Sequence, residues 1–195
     1  MKLLTDQIYH VYNQGNNKEI IFKDHEDYIS FLRRVRERVF PNTEILSYCL
    51  MPNHYHFLIY TNQKSIEPVK LGLLESQVLK NCFRLLNSGY STEYNNKYSR
   101  TGSLFRQKTK FKILENRKDN YPFICFNYIH QNPLKAGLVK KMEDWKYSSF
   151  QYYLGIRKGT LCNFDLAEQL IDIQKDDFYK TSYSVINEKL ADKLY

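Results

Sequence analysis

The chain is expected to fold as an α+β domain, an antiparallel sheet with helices on one face, followed by a C-terminal helical extension. Three observations predict this. Several segments of about six residues alternate in side-chain character and are rich in Ile, Val, Tyr and Phe, the pattern of strands. Segments with an apolar residue every three to four positions fall between them. The order is strand, helix, strand, strand, helix, strand, helix.

Ile8-Tyr9-His10-Val11-Tyr12 is the first strand, closed by the turn-forming cluster Asn13-Gln14-Gly15-Asn16-Asn17. Asp24 is placed to cap a helix running to about Val39, whose apolar positions Tyr28, Phe31, Leu32, Val35 and Val39 share a stripe. Arg33, Arg34, Arg36 and Arg38 fall mostly elsewhere, a solvated face or a secondary anion-binding one. Pro41-Asn42 ends the helix. Thr43–Leu50 and His54–Thr61 read as a second and third strand joined by the short turn Met51-Pro52-Asn53. A second helix is expected from Ser65 or Ile66 to about Leu86 on the stripe Leu71, Leu74, Val78, Cys82 and Leu85. Residues 87–102 read as a polar loop and Ser103–Leu114 as an extended segment. Asp119 or Asn120 would cap a further helix ending near Gln131, because Pro133 disfavours helical geometry at Asn132. Through the fourth strand this order matches the split βαβ plan of ferredoxin-like folds, which leaves the far face of the sheet to carry a site. The composition changes beyond Gly155, so residues 1–155 are taken as the main domain and 156–195 as the extension, helical over Asp165–Ile173 and Ser184–Tyr195.

With 43% hydrophobic and 26% charged residues, the 195-residue chain has the composition of a folded domain, not a disordered one. No apolar run approaches the roughly 20 residues a membrane helix needs, and the N-terminus lacks the apolar core of a signal peptide, so a cytoplasmic protein without a membrane partner is expected. Cys49, Cys82, Cys125 and Cys162 are too far apart for a zinc ribbon and are read as reduced, buried thiols. The net charge of +8, with 17 Tyr and 12 Phe, suits a polyanion whose unpaired bases can stack, pointing to single-stranded or structured nucleic acid.

The residues that carry chemistry begin at His54-Tyr55-His56. In a strand His54 and His56 project to one face and Tyr55 to the other, so the imidazoles form half of a metal site or else hydrogen-bond within a core. In Tyr128-Ile129-His130-Gln131-Asn132-Pro133, Tyr128 and Asn132 are one helical turn apart and stack on one face. A phenol can serve as a covalent nucleophile and an amide oxygen can ligate a hard cation, although a packing role is open for any one of so many tyrosines. His130, two positions on, faces elsewhere and is read as structural or nucleic-acid-facing. Between Lys97 and Lys118 only Glu115 opposes the cations. Arg106, Lys108, Lys110 and Lys112 alternate with Gln107, Thr109, Phe111 and Ile113, so they would line one face, as a phosphate-binding surface or a lysine-protected sheet edge. There is no phosphate-binding loop of the Walker type.

These segments together resemble the single-tyrosine HUH transposases, and within them the REP-associated tyrosine transposase branch. The carriers are Tyr9-His10-Val11-Tyr12-Asn13-Gln14-Gly15, Met51-Pro52-Asn53-His54-Tyr55-His56, Arg100-Thr101-Gly102-Ser103-Leu104-Phe105, Tyr128 through Val139, and Trp145-Lys146-Tyr147-Ser148-Ser149, spanning Tyr9 to Gly155. The resemblance implies a ferredoxin-like catalytic domain that cuts and rejoins single-stranded or hairpin DNA through a 5′-phosphotyrosine intermediate. It implies His54, His56 and Asn132 as metal ligands, with Gln131 a lesser candidate, and Tyr128 as the nucleophile. Mg²⁺ or Mn²⁺ is the expected ion. Arg100, Arg106, Lys108, Lys110 and Lys112 are the expected DNA-binding residues. Family members act as single chains or as homodimers, and both stay open. Tyr55, between the histidines, and Phe105-Arg106-Gln107-Lys108 depart from the family pattern. Two other activities fit the residues: a non-catalytic nucleic-acid-binding protein derived from such an enzyme, and a metal-dependent nuclease that uses water.

Overall fold

The computed structural model describes residues 1–114, 120–171, 173 and 177–184. The chain runs through β1 (Ile8–Gln14), α1 (His25–Arg38), β2 (Glu44–Met51), β3 (His54–Tyr60), α2 (Gln63–Ile66), β4 (Pro68–Leu71), β5 (Leu74–Gln77), α3 (Val78–Lys97), β6 (Lys110–Ile113), α4 (Tyr121–Lys135), α5 (Phe150–Tyr153), α6 (Phe164–Ile171) and α7 (Phe178–Ser182). The main sheet has the order β2-β3-β1-β6 with antiparallel neighbours throughout, the arrangement a split βαβ unit produces.

Residue alternation on β3 sorts the molecule into two cores. Tyr55, Phe57 and Ile59, with Tyr9 and Val11 of β1, face α1 and α3, where they pack against Phe31, Val35, Leu79, Phe83 and Leu86. Each such side chain, withdrawn from water, contributes about 1.5–3 kcal/mol. Asp24 caps α1 as expected: its carboxylate accepts from the Asp27 amide and the Asp27 side chain accepts from the Asp24 amide. Lys97 at the end of α3 reaches both carboxylates at 2.8 Å, tying the two helices together.

The second face is covered as well, where a free face was expected. Leu46, Cys49 and Leu58 pack against Cys125, Phe126 and Ile129 of α4, and Ala167, Ile171 and Phe178 of the C-terminal extension complete this core. The amide of Asn163 donates to the Ile45 carbonyl at 2.8 Å, fastening the extension to β2. All four cysteines are buried and unpaired, as their spacing indicated. Among the described residues no helix is long and apolar enough to cross a membrane.

Three elements differ from expectation for identifiable reasons. The helix expected from Ser65 to Leu86 begins only at Val78 and continues to Lys97, through most of the expected loop over 87–102. Before it, α2 lasts one turn because Pro68 pushes Glu67 out of helical geometry (ψ 138°). A β4–β5 hairpin follows, its turn made by Gly72 at φ +63°. Helix α4 runs past Pro133 to Lys135. The stop is Gly137, at φ +68°: the Leu138 amide donates to the Pro133 carbonyl (3.0 Å) and the Gly137 amide to the Leu134 carbonyl (3.0 Å), a left-handed cap that closes the last turn. The segment Ser103–Leu114 is a strand only from Lys110; before that it is irregular, anchored where the Arg106 amide donates to the Gln14 carbonyl at 2.9 Å. Asp119 as a helix cap and the helix expected beyond Ser184 lie outside the described residues.

Candidate active site

The register of the sheet places three rows of side chains on the face that α4 overlies. Gln14, His54 and Met51 form one row, Lys110, Tyr12, His56 and Cys49 the next, and Lys112, His10 and Leu58 the third. The two histidines expected to share a face do so, with ring centroids 4.9 Å apart and planes at 85°. His56 is fully buried and His54 partly so. The Tyr128 ring stands edge-on to His56 at 5.9 Å and to His10 at 6.5 Å. Tyr128 and Asn132 are both half-buried, and the Asn132 Nδ2 donates to the Tyr128 carbonyl at 2.8 Å, consistent with their predicted one-turn stacking. Lys135 sits 5.9 Å from the Tyr128 ring centroid.

Each histidine ring is held by a neighbour. The His54 Nδ1 bonds the Asn53 side-chain oxygen at 2.6 Å, so this nitrogen carries the proton and Nε2 keeps its lone pair. The His56 Nδ1 and the His10 Nε2 share a proton across 2.9 Å. When His56 is the donor, its lone pair lies on Nε2, the nitrogen that would ligate. Burial lowers the His54 pKa to about 4, and burial, then His10 and His54, lowers that of His56 well below its ordinary value. Both imidazoles are thus neutral at neutral pH, the form that binds a metal. Among the described residues no three His, Cys, Asp or Glu side chains are arranged to hold a metal ion. Two neutral imidazoles beside an amide-bearing helix nevertheless suit a divalent ion that takes its other ligands from an amide, phosphate and water.

Beside the histidines opens a cleft of about 550 Å³, lined by Tyr12, Asn13, Gln14, His54 and His56 and walled by Arg106, Gln107, Lys108 and Lys110. Three of the cations expected to bind DNA are therefore brought to the histidine pair. A fourth, Lys112, is on the same face of β6 beside His10.

Known proteins resemble the chain as follows. No family model matches the sequence. A protein of Haemophilus influenzae provisionally named a REP-associated tyrosine transposase is 24% identical over 108 residues, covering 55% of this chain and 58% of that protein; the chain thus spans little more than half of that relative's length. A solved REP-associated tyrosine transposase bound to a REP hairpin superposes with a TM-score of 0.56 at 15% identity, covering 84% of this chain and 92% of that one. The chain has the fold of a REP-associated tyrosine transposase. Sequence and fold therefore agree on the resemblance that the motifs suggested.

Within the REP-associated transposase fold the remaining sequence candidates take other positions. The Arg100 guanidinium makes a two-point pair with Glu19 (2.9 and 2.5 Å) and reaches the carbonyls of Thr101, Gly102 and Ser103, holding the loop that leads to the cleft wall. An Arg100→Ala chain is expected to melt within about 1 kcal/mol of wild type, since the pair is part-exposed, but to show faster amide hydrogen exchange over residues 100–105. Gln131 donates to the carbonyls of Ser182 and Ser184 and so braces α7 instead of facing the histidines. His130 is buried against the Ser149 hydroxyl at 2.7 Å, the structural one of the two roles left open for it. The residue missed by sequence reasoning is His10. Alternation along β1 places it on the same face as Tyr12, but only the β1–β3 register reveals that this face is the one holding His56.

Proposed function

We propose that the chain is a divalent-metal-dependent DNA strand transferase of the HUH type, acting on single-stranded or hairpin DNA through a covalent tyrosine intermediate. The observation that carries this reading is the Tyr128 ring standing edge-on to His56, which with His54 lines a cleft walled by cations. The hairpin in the solved relative supports hairpin DNA as the substrate here. In this reading His54, His56 and Asn132 hold the ion, with Mg²⁺ or Mn²⁺ expected. Bound there, the ion would offset negative charge on the phosphate oxygens.

The chain's own residues do the rest. Arg106, Lys108, Lys110 and Lys112 draw the strand in and fix its backbone across the histidine face. The Tyr128 oxygen attacks phosphorus while its proton passes to water; the bond to the 3′ oxygen breaks, and that oxygen takes a proton from water and leaves as a hydroxyl. The 5′ phosphate is left on Tyr128. Attack by another 3′ hydroxyl reverses these bond changes and rejoins the strand, so no external energy source is needed.

The test uses labelled single strands and hairpins with Mn²⁺. A protein–DNA adduct that survives denaturing electrophoresis, and fails to form in EDTA, is the expected result. Binding with no cleavage of any substrate would instead favour the non-catalytic reading. A second prediction concerns His10. As the hydrogen-bond partner of the His56 Nδ1, it sets which His56 nitrogen carries the proton, and loss of such a partner typically costs 10–100-fold in metal affinity. His10→Ala should weaken Mn²⁺ binding by about that factor in calorimetry, with partial recovery in His10→Gln, which can still accept the Nδ1 proton.

A further inference from the structure

A second groove, of about 1000 Å³, lies on the other side of the cleft wall. One bank is the polar face of α3, where Lys80, Arg84, Asn87, Ser91 and Asn95 recur at helical spacing. The other bank is the segment from Gly102 to Phe111. Arg106, Gln107, Lys108 and Lys110 line both this groove and the histidine cleft, so the two are continuous over the outer edge of the sheet. Among the described residues, five cations line the groove (Lys80, Arg84, Arg106, Lys108 and Lys110) and no carboxylate does.

We propose that this groove is the track for the single-stranded DNA flanking the cut phosphate, held through its sugar–phosphate backbone. The inference rests on the function proposed above. The lining chemistry selects the occupant. Cations, hydroxyls and amides are the groups that bind phosphate oxygens, whereas of the two phenylalanines in the lining Phe105 is buried in the core and Phe111, half-buried, is engaged edge-on with Phe83 beneath α3. Recognition here is therefore independent of base sequence. The cations on α3 are paired with neutral groups: the Lys80 ammonium donates to the Met1 carbonyl, and Arg84, exposed, donates to the Asn81 amide oxygen at 3.0 Å. Continuity with the histidine cleft makes the bound segment the same strand that reaches Tyr128, not a separate molecule.

The experiment compares the wild type with a Lys80→Gln, Arg84→Gln chain on a hairpin ending at the cleft and on the same hairpin carrying a single-stranded flank. Glutamine keeps the helix propensity of both positions, and thermal melting verifies that the double variant is folded. Wild type should bind the flanked substrate more tightly. The variant should lose on the order of tenfold of that advantage at 0.1 M salt, and its log–log salt slope on the flanked substrate should fall by about 1.4, at roughly 0.7 per phosphate contact on a single strand. A variant that keeps the full flank advantage overturns the proposal. So does one that weakens both substrates by the same factor, which would place the hairpin duplex in the groove. Wild type that binds neither substrate overturns the function itself, a result distinct from either of these.

Discussion

Tyr128→Phe eliminates the covalent protein–DNA adduct while leaving hairpin affinity within about twofold of wild type: this is the largest effect expected of any single substitution, because losing a nucleophile commonly costs 10³-fold or more. The change removes one oxygen. The ring that remains keeps its edge toward His56 and His10 and stays in reach of Lys135, so the fold and the cationic cleft wall persist. Binding, which the proposed function assigns to Arg106, Lys108, Lys110 and Lys112, should therefore separate cleanly from chemistry. Strand cleavage that survives in this variant would identify water as the nucleophile and make the chain a nuclease. An undiminished adduct would assign the phosphate to another of the 17 tyrosines.

Phe57→Ala should lower stability by about 3–5 kcal/mol, which for a chain of this size corresponds to a drop in melting temperature of roughly 6–20 °C. Phe57 is fully buried at the middle of β3, with ring centroids 6.1 Å from Tyr48, 5.6 Å from Tyr55 and 5.9 Å from Phe83. The three rings around it are stiff and collapse poorly into the space, so much of the cavity persists and its cost falls within the range for such changes. Neighbouring residues on β3 face opposite ways, so the same substitution leaves His54 and His56 on their own side. Below its melting temperature the variant should therefore bind Mn²⁺ as wild type does. A melting temperature within 2 °C of wild type, by the same scaling, would mean the aromatic core relaxes far more than its packing indicates.

What could be read from the residues alone follows from the range of the interactions involved. The first helix was legible because its cap is local: Asp24 and Asp27 satisfy each other's amides within one turn. The three long strands were legible from alternation, and with them the shared face of His54 and His56. The second helix was misplaced because Leu71, Leu74, Val78, Cys82 and Leu85 happen to fit a helical period, although Pro68 and Gly72 sit among them as breakers. Leu74 turns out to be exposed on a hairpin, where periodicity carries no packing information. Pro133 was taken for a stop, yet the helix runs two residues past it, and Gly137 supplies the geometry that ends the turn. His10 illustrates the other limit. Its role depends on the pairing of β1 with β3 across 46 residues of sequence, a register that no local pattern encodes.

The Thr109 hydroxyl lies 3.3 Å from the Asn13 Nδ2, 2.9 Å from the Asn87 Nδ2 and 3.4 Å from the Tyr55 hydroxyl, while Asn13 also donates to the Arg106 carbonyl at 3.2 Å. These bonds moor the peptide from Arg106 to Lys110 on both flanks at once, to the first strand on one side and to the long helix on the other. That peptide lines the histidine cleft with one side and the groove along α3 with the other. If both hold DNA as proposed, a shift of this one segment would reshape the two surfaces together, and the Thr109 hydroxyl is the anchor they share.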